Sequence, residues 1–192
     1  RTHLNSPVSG VTRDADGVTV EVNGKQQRFD QVVFACHSDQ ALQMIQDPTD
    51  AEKEILGAIP FQSNDVVLHT DSSVLPSNRR AWAAWNYFIP SHSTEPVSVT
   101  YNMNILQNFQ SSADTFCVTL NRTHDIDPAK IIKQFNYSHP VFSLQGVAAQ
   151  NRYDEIGGQN RSHFCGAYWF NGFHEDGVCS ALRVTKSFGV EL

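Results

Sequence analysis

The sequence has no run of Lys and Arg. Its 14 Lys and Arg are outnumbered by 20 Asp and Glu, which gives a formal net charge of −6. A chain with this balance presents neither the basic surface that binds phosphate backbones nor a polybasic patch for acidic membranes. We therefore expect no nucleic acid among its partners.

Long apolar runs are also missing. No stretch approaches the roughly 20 apolar residues that span a bilayer, and the first residues do not resemble a signal peptide. These absences predict a soluble, cytoplasmic protein without a transmembrane segment. The first residue is Arg1 rather than Met, and we expect a processed or truncated piece of a longer protein.

Cysteine is scarce, and none of the cysteines forms a C-x-x-C pair. The four lie far apart inside apolar runs, at Cys36, Cys117, Cys165 and Cys179. This pattern favours reduced, buried thiols over a zinc site or a disulfide framework, so no metal is expected. With 192 residues, 40% of them hydrophobic, the chain is long enough to fold as one sizeable domain or two small ones without disulfide bonds or a structural metal.

The first 60 residues combine strand and helix signals. Asp16-Gly17 and Asn23-Gly24 separate alternating runs between residues 7 and 29, which predicts a three-stranded meander. Residues 32–36 are apolar without alternation, as expected of a central strand in a parallel sheet. Helices are predicted from Ser38 and from Asp50, the second with a capping box.

Strands dominate the middle of the chain. Three runs between residues 64 and 104, and a fourth over 115–120, follow one another without a helical pattern, which predicts an antiparallel sheet in a second lobe. Asp127-Pro128 is a typical helix start and predicts a helix through Phe135.

The C-terminal segment predicts a strand, a loop and a helix. The strand is expected over residues 162–169, the loop contains Gly172 and Gly177, and the helix runs from about Asp176 to Phe188. A glycine loop before a helix N-terminus is typical of a phosphate or cofactor edge, because exposed N–H groups meet the positive end of the helix there.

Three motifs in this sequence resemble the flavin-containing amine oxidase superfamily, specifically its bacterial branch of NAD/FAD-binding proteins. They are Pro7-Val8 with the hairpin that follows, D-Q-V-V-F-A-C ending at Cys36, and F-C-G-A-Y-W…G-F-H-E-D-G-V-C-S-A ending at Ala181. The resemblance implies an α+β or α/β fold. Residues 1–60 and 160–192 would be part of an FAD-binding, Rossmann-like domain, and residues 61–159 a substrate lobe with a mixed or antiparallel sheet.

The resemblance also implies site residues. The positions that correspond to FAD contacts are Val8, Ala35, Cys36, Gly166, Ala167, Asp176, Gly177 and Val178. The backbone of the last three would donate to the N1/C2=O edge of the flavin, and His174, a candidate catalytic residue, would lie beside the ring. Substrate-pocket candidates are Trp85, Tyr87, Tyr101 and Trp169. Each residue also has an ordinary explanation as a turn glycine, an acidic first helical turn or a core aromatic.

Two departures from the family pattern bear on function. Gly166 is followed by Ala167, where the family has an acidic residue that binds a ribityl hydroxyl. No glycines within a βα unit have the spacing of a complete G-x-G-x-x-G phosphate loop. We therefore expect the C-terminal part of an FAD-dependent oxidoreductase that needs an N-terminal FAD-binding segment.

The intact protein would transfer hydride from a substrate C–H bond to flavin N5, with a lipid or an amine as substrate. This chain alone would bind FAD poorly and be inactive, and an exposed sheet edge would favour a homo-oligomer. The alternative is a non-catalytic ligand-binding or interaction module of the same fold.

Overall fold

The computed structural model describes residues 1–90, 98–109 and 113–190. The strands are β1 Val8–Asp14, β2 Gly17–Val22, β3 Lys25–Phe29, β4 Val32–Phe34, β5 Phe61–His69, β6 Trp85–Phe88, β7 Ser98–Asn102, β8 Cys117–Leu120, β9 Ile131–Pro140 and β10 Ser162–Phe164. The helices are α1 Ser38–Met44, α2 Asp50–Gly57, α3 Met103–Leu106, α4 Leu144–Gln150 and α5 His174–Ser187. No helix among the described residues is long and apolar enough to cross a membrane.

The chain forms two compact units. The first contains residues 1–61 and 140–192, and the second contains residues 62–139. Residues 140–159 lie in the first unit, whereas the sequence analysis assigned them to the second lobe. The reason is α4, whose Ala149 is buried in the same core as Ile55 and Leu56 of α2.

The first unit begins with the predicted meander, in the order β1-β2-β3. Asn23 and Gly24 adopt φ values of 51° and 72°, the left-handed pair that a tight hairpin turn requires. The predicted capping box is also confirmed. The Thr49 hydroxyl accepts from the Glu52 N–H at 3.1 Å, and the Glu52 carboxylate accepts from the Thr49 N–H at 2.8 Å.

Strands β4 and β10 form a parallel pair in the same unit. Phe34 lies opposite Phe164 with their rings stacked at 5.3 Å, and both side chains are buried. Within the described residues this sheet has two strands and Val33 is 44% exposed, so β4 is not the fully covered central strand that was predicted. The strand predicted over 162–169 ends at Phe164, and residues 167–169 form a 3-10 turn.

The second unit is built on the predicted antiparallel sheet. Its five strands have the order β6-β7-β8-β5-β9, and a small cluster of Val67, Val74 and Ile126 is buried in it. One prediction is wrong here. The helix expected from Pro128 is a single 3-10 turn over Pro128–Lys130, followed by β9. Asp127 still caps that turn, but pairing with β5 and the packing of Ile131 on the buried cluster favour strand beyond it.

A buried ion pair joins the elements of the first unit. The guanidinium of Arg13 in β1 forms two bonds to the carboxylate of Glu52 in α2, at 2.5 and 2.9 Å, with both side chains almost fully buried. The same guanidinium donates to the Asp47 carboxylate at 3.1 Å and to the Ser162 hydroxyl at 3.0 Å. It therefore holds β1, the start of α2 and the start of β10 together.

We expect Glu52→Gln to destabilise the protein strongly, because it leaves the buried Arg13 guanidinium without its full counter-charge. Losing one partner of a buried pair costs about 3–5 kcal/mol. The measurement is the urea midpoint of unfolding. Asp14→Asn is the matched control, because Asp14 pairs with Arg28 on the surface and should change the midpoint little. Equal shifts for the two variants would contradict the assignment.

Candidate functional site

Most of the predicted cofactor-binding residues meet at one edge of the first unit. Ala35 and Cys36 follow the end of β4, and Gly166 and Ala167 follow the end of β10. The two strands are parallel and adjacent, since the Cys165 N–H donates to the Phe34 carbonyl at 3.0 Å. Their carboxyl ends therefore share an edge, the place where open α/β sheets bind ligands. We call it the carboxyl edge.

The start of α5 lies at the carboxyl edge. An added Cβ at Gly177 would stand 4.0 Å from the Ala167 Cβ, so the first turn of the helix packs directly on the 167–169 turn. Gly172, with φ of 89°, provides the left-handed residue that reverses the chain between them. Its N–H donates to the Ala167 carbonyl at 3.2 Å. This tight return directs the N-terminus of α5 toward the strand ends.

The donor set of α5 differs from the predicted one. The helix begins at His174, two residues earlier than expected, and the Gly177 N–H already donates to the Phe173 carbonyl at 3.2 Å. Val178 lies still deeper in the helix. A regular helix leaves its first N–H groups without helical partners, so the donors available to a ligand are the backbone groups of residues 174–176.

Asp176 acts as the cap of this helix. Its carboxylate accepts from the Phe173 N–H at 2.9 Å and from the Asn171 N–H at 3.2 Å. The side chain is therefore committed to the loop before the helix. Only the backbone of Asp176 remains for the predicted contact with a cofactor.

Gly166 has a structural role that the sequence did not reveal. A Cβ at this position would lie 2.4 Å from Cε1 of Tyr168, whose ring is buried. The Gly166 N–H donates to the buried Ser180 hydroxyl at 2.8 Å, and that hydroxyl donates to the Gly177 carbonyl. Gly166 thus fastens β10 to α5, and its N–H is not available to a ligand. The sequence signal that could have indicated this role is the aromatic residue Tyr168 two positions after Gly166.

Val8 lines a groove of about 350 Å³ on one face of the meander. Its apolar wall includes Val20, Val22 and Phe29, and Lys25 is also among its lining residues. A concave site of this size with apolar walls and a few polar groups suits a planar heterocycle.

Three of the four predicted pocket aromatics share a face of the second unit's sheet. Trp85 lies opposite Tyr101 with the rings edge to face at 5.1 Å, and Tyr87 follows two residues after Trp85 on the same face. Trp85 is 44% exposed and Tyr87 63% exposed. Burial, and then the neighbouring Tyr87, raise the pKa of Tyr101, so its phenol is neutral near neutral pH.

The fourth aromatic, Trp169, does not line an open surface. It is 2% exposed in the core of the first unit, where its ring packs edge to face against Tyr153. The prediction that it contacts substrate is wrong, because its side chain is buried in the core of the first unit. His174 is exposed at the first position of α5, and its catalytic role stays a prediction.

Among the described residues, no group of three or more His, Cys, Asp or Glu side chains is placed to hold a metal ion. Cys36 and Cys165 at the carboxyl edge are half-buried, and burial raises the pKa of both thiols. Neither thiol is therefore activated as a nucleophile.

Comparison with known families decides the identity of the chain. A family model described as flavin containing amine oxidoreductase matches residues 1–120. The chain belongs to this family. Membership confirms the expected family and implies FAD as the cofactor. The matched residues include the meander groove and β4.

Solved structures of an isomerase and two oxidases share the fold over nearly the whole chain. A CLA-producing fatty acid isomerase from P. acnes matches with a TM-score of 0.66 and 15% identity, over 96% of this chain and 48% of its own. A putrescine oxidase variant matches with a TM-score of 0.62 and 10% identity, over 98% of this chain and 49% of its own. Cyclohexylamine oxidase from Brevibacterium oxydans IH-35A matches with a TM-score of 0.53 and 13% identity, over 96% of this chain and 49% of its own.

The likeness confirms the predicted mixed α/β fold with an antiparallel sheet. The chain spans about half the length of these solved structures. No curated protein sequence matches it.

The carboxyl edge fits a flavin in one respect that the structure itself shows. The backbone N–H groups of residues 174–176 stand at the positive end of a 14-residue helix, and a flavin carries its negative charge, when reduced, at the N1/C2=O edge. The groups that would hold that edge are backbone N–H groups.

Alanine substitutions at the two edge glycines should have opposite effects on stability. Gly166→Ala forces a methyl group into the buried Tyr168 ring, and such overpacking costs about 1–3 kcal/mol. Gly177→Ala makes only an ordinary van der Waals contact, 4.0 Å from the Ala167 Cβ, in a helical position, and should stabilise by up to about 1 kcal/mol. Thermal unfolding of both variants checks this, and a destabilised Gly177→Ala would refute the packing described.

Proposed function

We propose that this chain forms the C-terminal part of an FAD-dependent oxidoreductase. The carboxyl edge carries the proposal, because it brings two parallel strand ends and a helix N-terminus to one place. When bound, FAD supplies the chemistry by accepting hydride at N5 from a substrate C–H bond.

The contribution of α5 is electrostatic. Three backbone N–H groups and the helix dipole favour negative charge beside residues 174–176. The Glu175 and Asp176 carboxylates of the same turn oppose this with their own charge, although that of Asp176 is bound to the N–H groups of Phe173 and Asn171. The backbone N–H groups would therefore be the groups that stabilise the reduced, more negative form of the cofactor.

The groove at Val8 is proposed to receive the adenine. Its apolar wall of Val20, Val22 and Phe29 would cover a flat ring, and Lys25, which also lines the groove, would offer a cation to a neighbouring phosphate. The amine oxidoreductase family model includes this groove. A G-x-G-x-x-G loop for the pyrophosphate is missing from the 192 residues, so we propose that another segment supplies it and that this chain alone binds FAD weakly.

The aromatic face of the second unit is proposed to contact the substrate. Trp85, Tyr87 and Tyr101 offer flat, neutral surfaces that favour the apolar part of a small molecule. The similar solved structures are those of a fatty acid isomerase, a putrescine oxidase and a cyclohexylamine oxidase. We propose a small molecule with an apolar carbon skeleton, either a lipid or an amine, as the substrate.

Ala35→Asp should weaken FAD binding, because it places a negative charge on the exposed residue that follows β4 at the carboxyl edge. We expect a decrease of about tenfold in affinity, equivalent to about 1.4 kcal/mol. The measurement is the flavin absorbance retained by the natural full-length protein that contains this chain, together with FAD titration.

Ala148→Asp is the matched control, since Ala148 is an exposed alanine on α4. It should keep its flavin. A full-length protein that is colourless and is not stabilised by FAD would overturn the proposed function. Equal FAD content in both variants, with wild-type colour, would overturn only the placement of the cofactor.

A further inference from the structure

The second unit contains a histidine that no proposed function uses. His69, at the end of β5, is fully buried. Its Nδ1 accepts the N–H of Asp71 at 3.1 Å, and its Nε2 lies 2.7 Å from the Thr119 hydroxyl. Since Nδ1 acts as an acceptor, the ring proton belongs on Nε2, which donates to Thr119. The hydrogen bonds thus specify a neutral imidazole.

Asp71 connects this histidine to two covering segments. Its carboxylate is buried and accepts from the N–H groups of Ser73 at 3.1 Å and Asp127 at 2.9 Å. Lys130 Nζ donates to it at 3.2 Å. These bonds tie residues 70–75 to residues 123–130, and we call these two stretches the covering segments.

The covering segments shield the buried cluster of the sheet. Val74 from one segment and Ile126 from the other pack with Val67 of β5, and all three are buried. Ile131 also packs on this cluster, and the segments are further held by the Thr70 N–H, which donates to the Lys130 carbonyl at 3.0 Å, and by the Thr123 hydroxyl, which donates to Asp65. The bonds made by Asp71 add to these contacts.

The other groups around the imidazole do not offset a positive charge. Cys117 of β8 lies directly opposite His69, and burial raises the pKa of its thiol to about 11, which keeps it neutral. From β7 the neighbours are the hydroxyl of Thr100 and the amide of Asn102. Lys130 already balances the charge of Asp71, and the Asp127 carboxylate caps its own turn.

Protonation of His69 is therefore costly in this arrangement. Burial lowers the pKa of the imidazole, although the Asp71 carboxylate partly opposes the shift. A proton on Nδ1 would also turn the acceptor of the Asp71 N–H into a second donor, so that the two N–H groups would face each other. The charged ring needs the backbone at Asp71 to move.

We propose that His69 and Asp71 form an acid-released latch, which frees the two covering segments from the sheet when the imidazole becomes charged. The proposal concerns the second unit alone and does not depend on FAD binding. The sheet strands themselves keep their pairing, because their hydrogen bonds do not involve the imidazole.

The direction of the pH effect follows from linkage. A histidine in the open or unfolded chain has a pKa of about 6.5, and that of the latched His69 is lower. The latch is at full strength above about pH 6.5 and weakens as the pH falls toward the lowered pKa. In that window the opening equilibrium should rise by up to about tenfold for each pH unit, because one proton is taken up.

Hydrogen exchange followed by mass spectrometry tests the latch in the full chain between pH 7.5 and 5, after correction for the intrinsic pH dependence of exchange. We expect peptides covering residues 70–75 and 123–130 to lose protection by about tenfold or more, whereas peptides of β5 and β8 stay protected. The fluorescence of Trp82 gives a second readout of opening. Its indole N–H donates at 2.8 Å to the carbonyl of Pro76, the residue that follows the first covering segment.

His69→Asn is the decisive variant. Its amide oxygen can still accept the Asp71 N–H, but the side chain does not titrate, so the opening should no longer depend on pH. His124→Asn, at a largely exposed histidine, is the matched control and should keep the wild-type profile. An unchanged pH profile in His69→Asn would overturn the latch.

If His69→Asn does not fold, the NMR chemical shifts of the imidazole nitrogens in the wild-type protein report the protonation of His69 instead. A proton uptake by His69 that coincides with opening of the covering segments would support the latch. Opening while His69 stays neutral, or protonation while the segments stay protected, would overturn it.

Discussion

The buried pair of Arg13 and Glu52 is the interaction on which the first unit depends. Arg13 contacts α2 through Glu52, the loop before α2 through Asp47, and β10 through Ser162. Because desolvating two charges is costly, such a pair is weak evidence of net stability. Its effect here is to favour one arrangement, since a displaced β10 takes the Ser162 hydroxyl away from the guanidinium. The bond from Arg13 thus helps to position the start of β10, whose other end forms the carboxyl edge.

Local signals in the sequence were sufficient for the elements that local bonds determine. Asn23-Gly24 formed its hairpin turn, and Thr49 with Glu52 formed its capping box. Asp127-Pro128 also did what its sequence indicates, by capping one turn. The error was to extend that turn into a helix, because the partner strand that competes for residues 131–140 is distant in sequence.

Long-range relations could not be foreseen from the residues. Arg13 and Glu52 are 39 positions apart, and the local sequence around neither residue predicts that they pair. The register that puts Trp85 opposite Tyr101, and the burial that removes Trp169 from the surface, likewise depend on the assembled fold. The family resemblance singled out the residues that lie at the carboxyl edge, but α5 begins two residues earlier than expected, so the N–H groups without helical partners are those of residues 174–176 rather than 176–178.

The two units differ in how their interiors respond to protons. In the first, hydrogen bonds between Arg13 and Glu52 overcome burial and move their pKa values apart, with the guanidinium raised and the carboxyl lowered. That pair keeps its charges throughout the ordinary pH range, and its contribution is lost only in strong acid. The interior of the second unit contains His69, whose pKa is lowered by burial, so acid opposes its neutral form only as the pH falls below about 6.5. Acid should therefore act first on the unit with the aromatic face, and the carboxyl edge should keep its geometry while the other unit loosens.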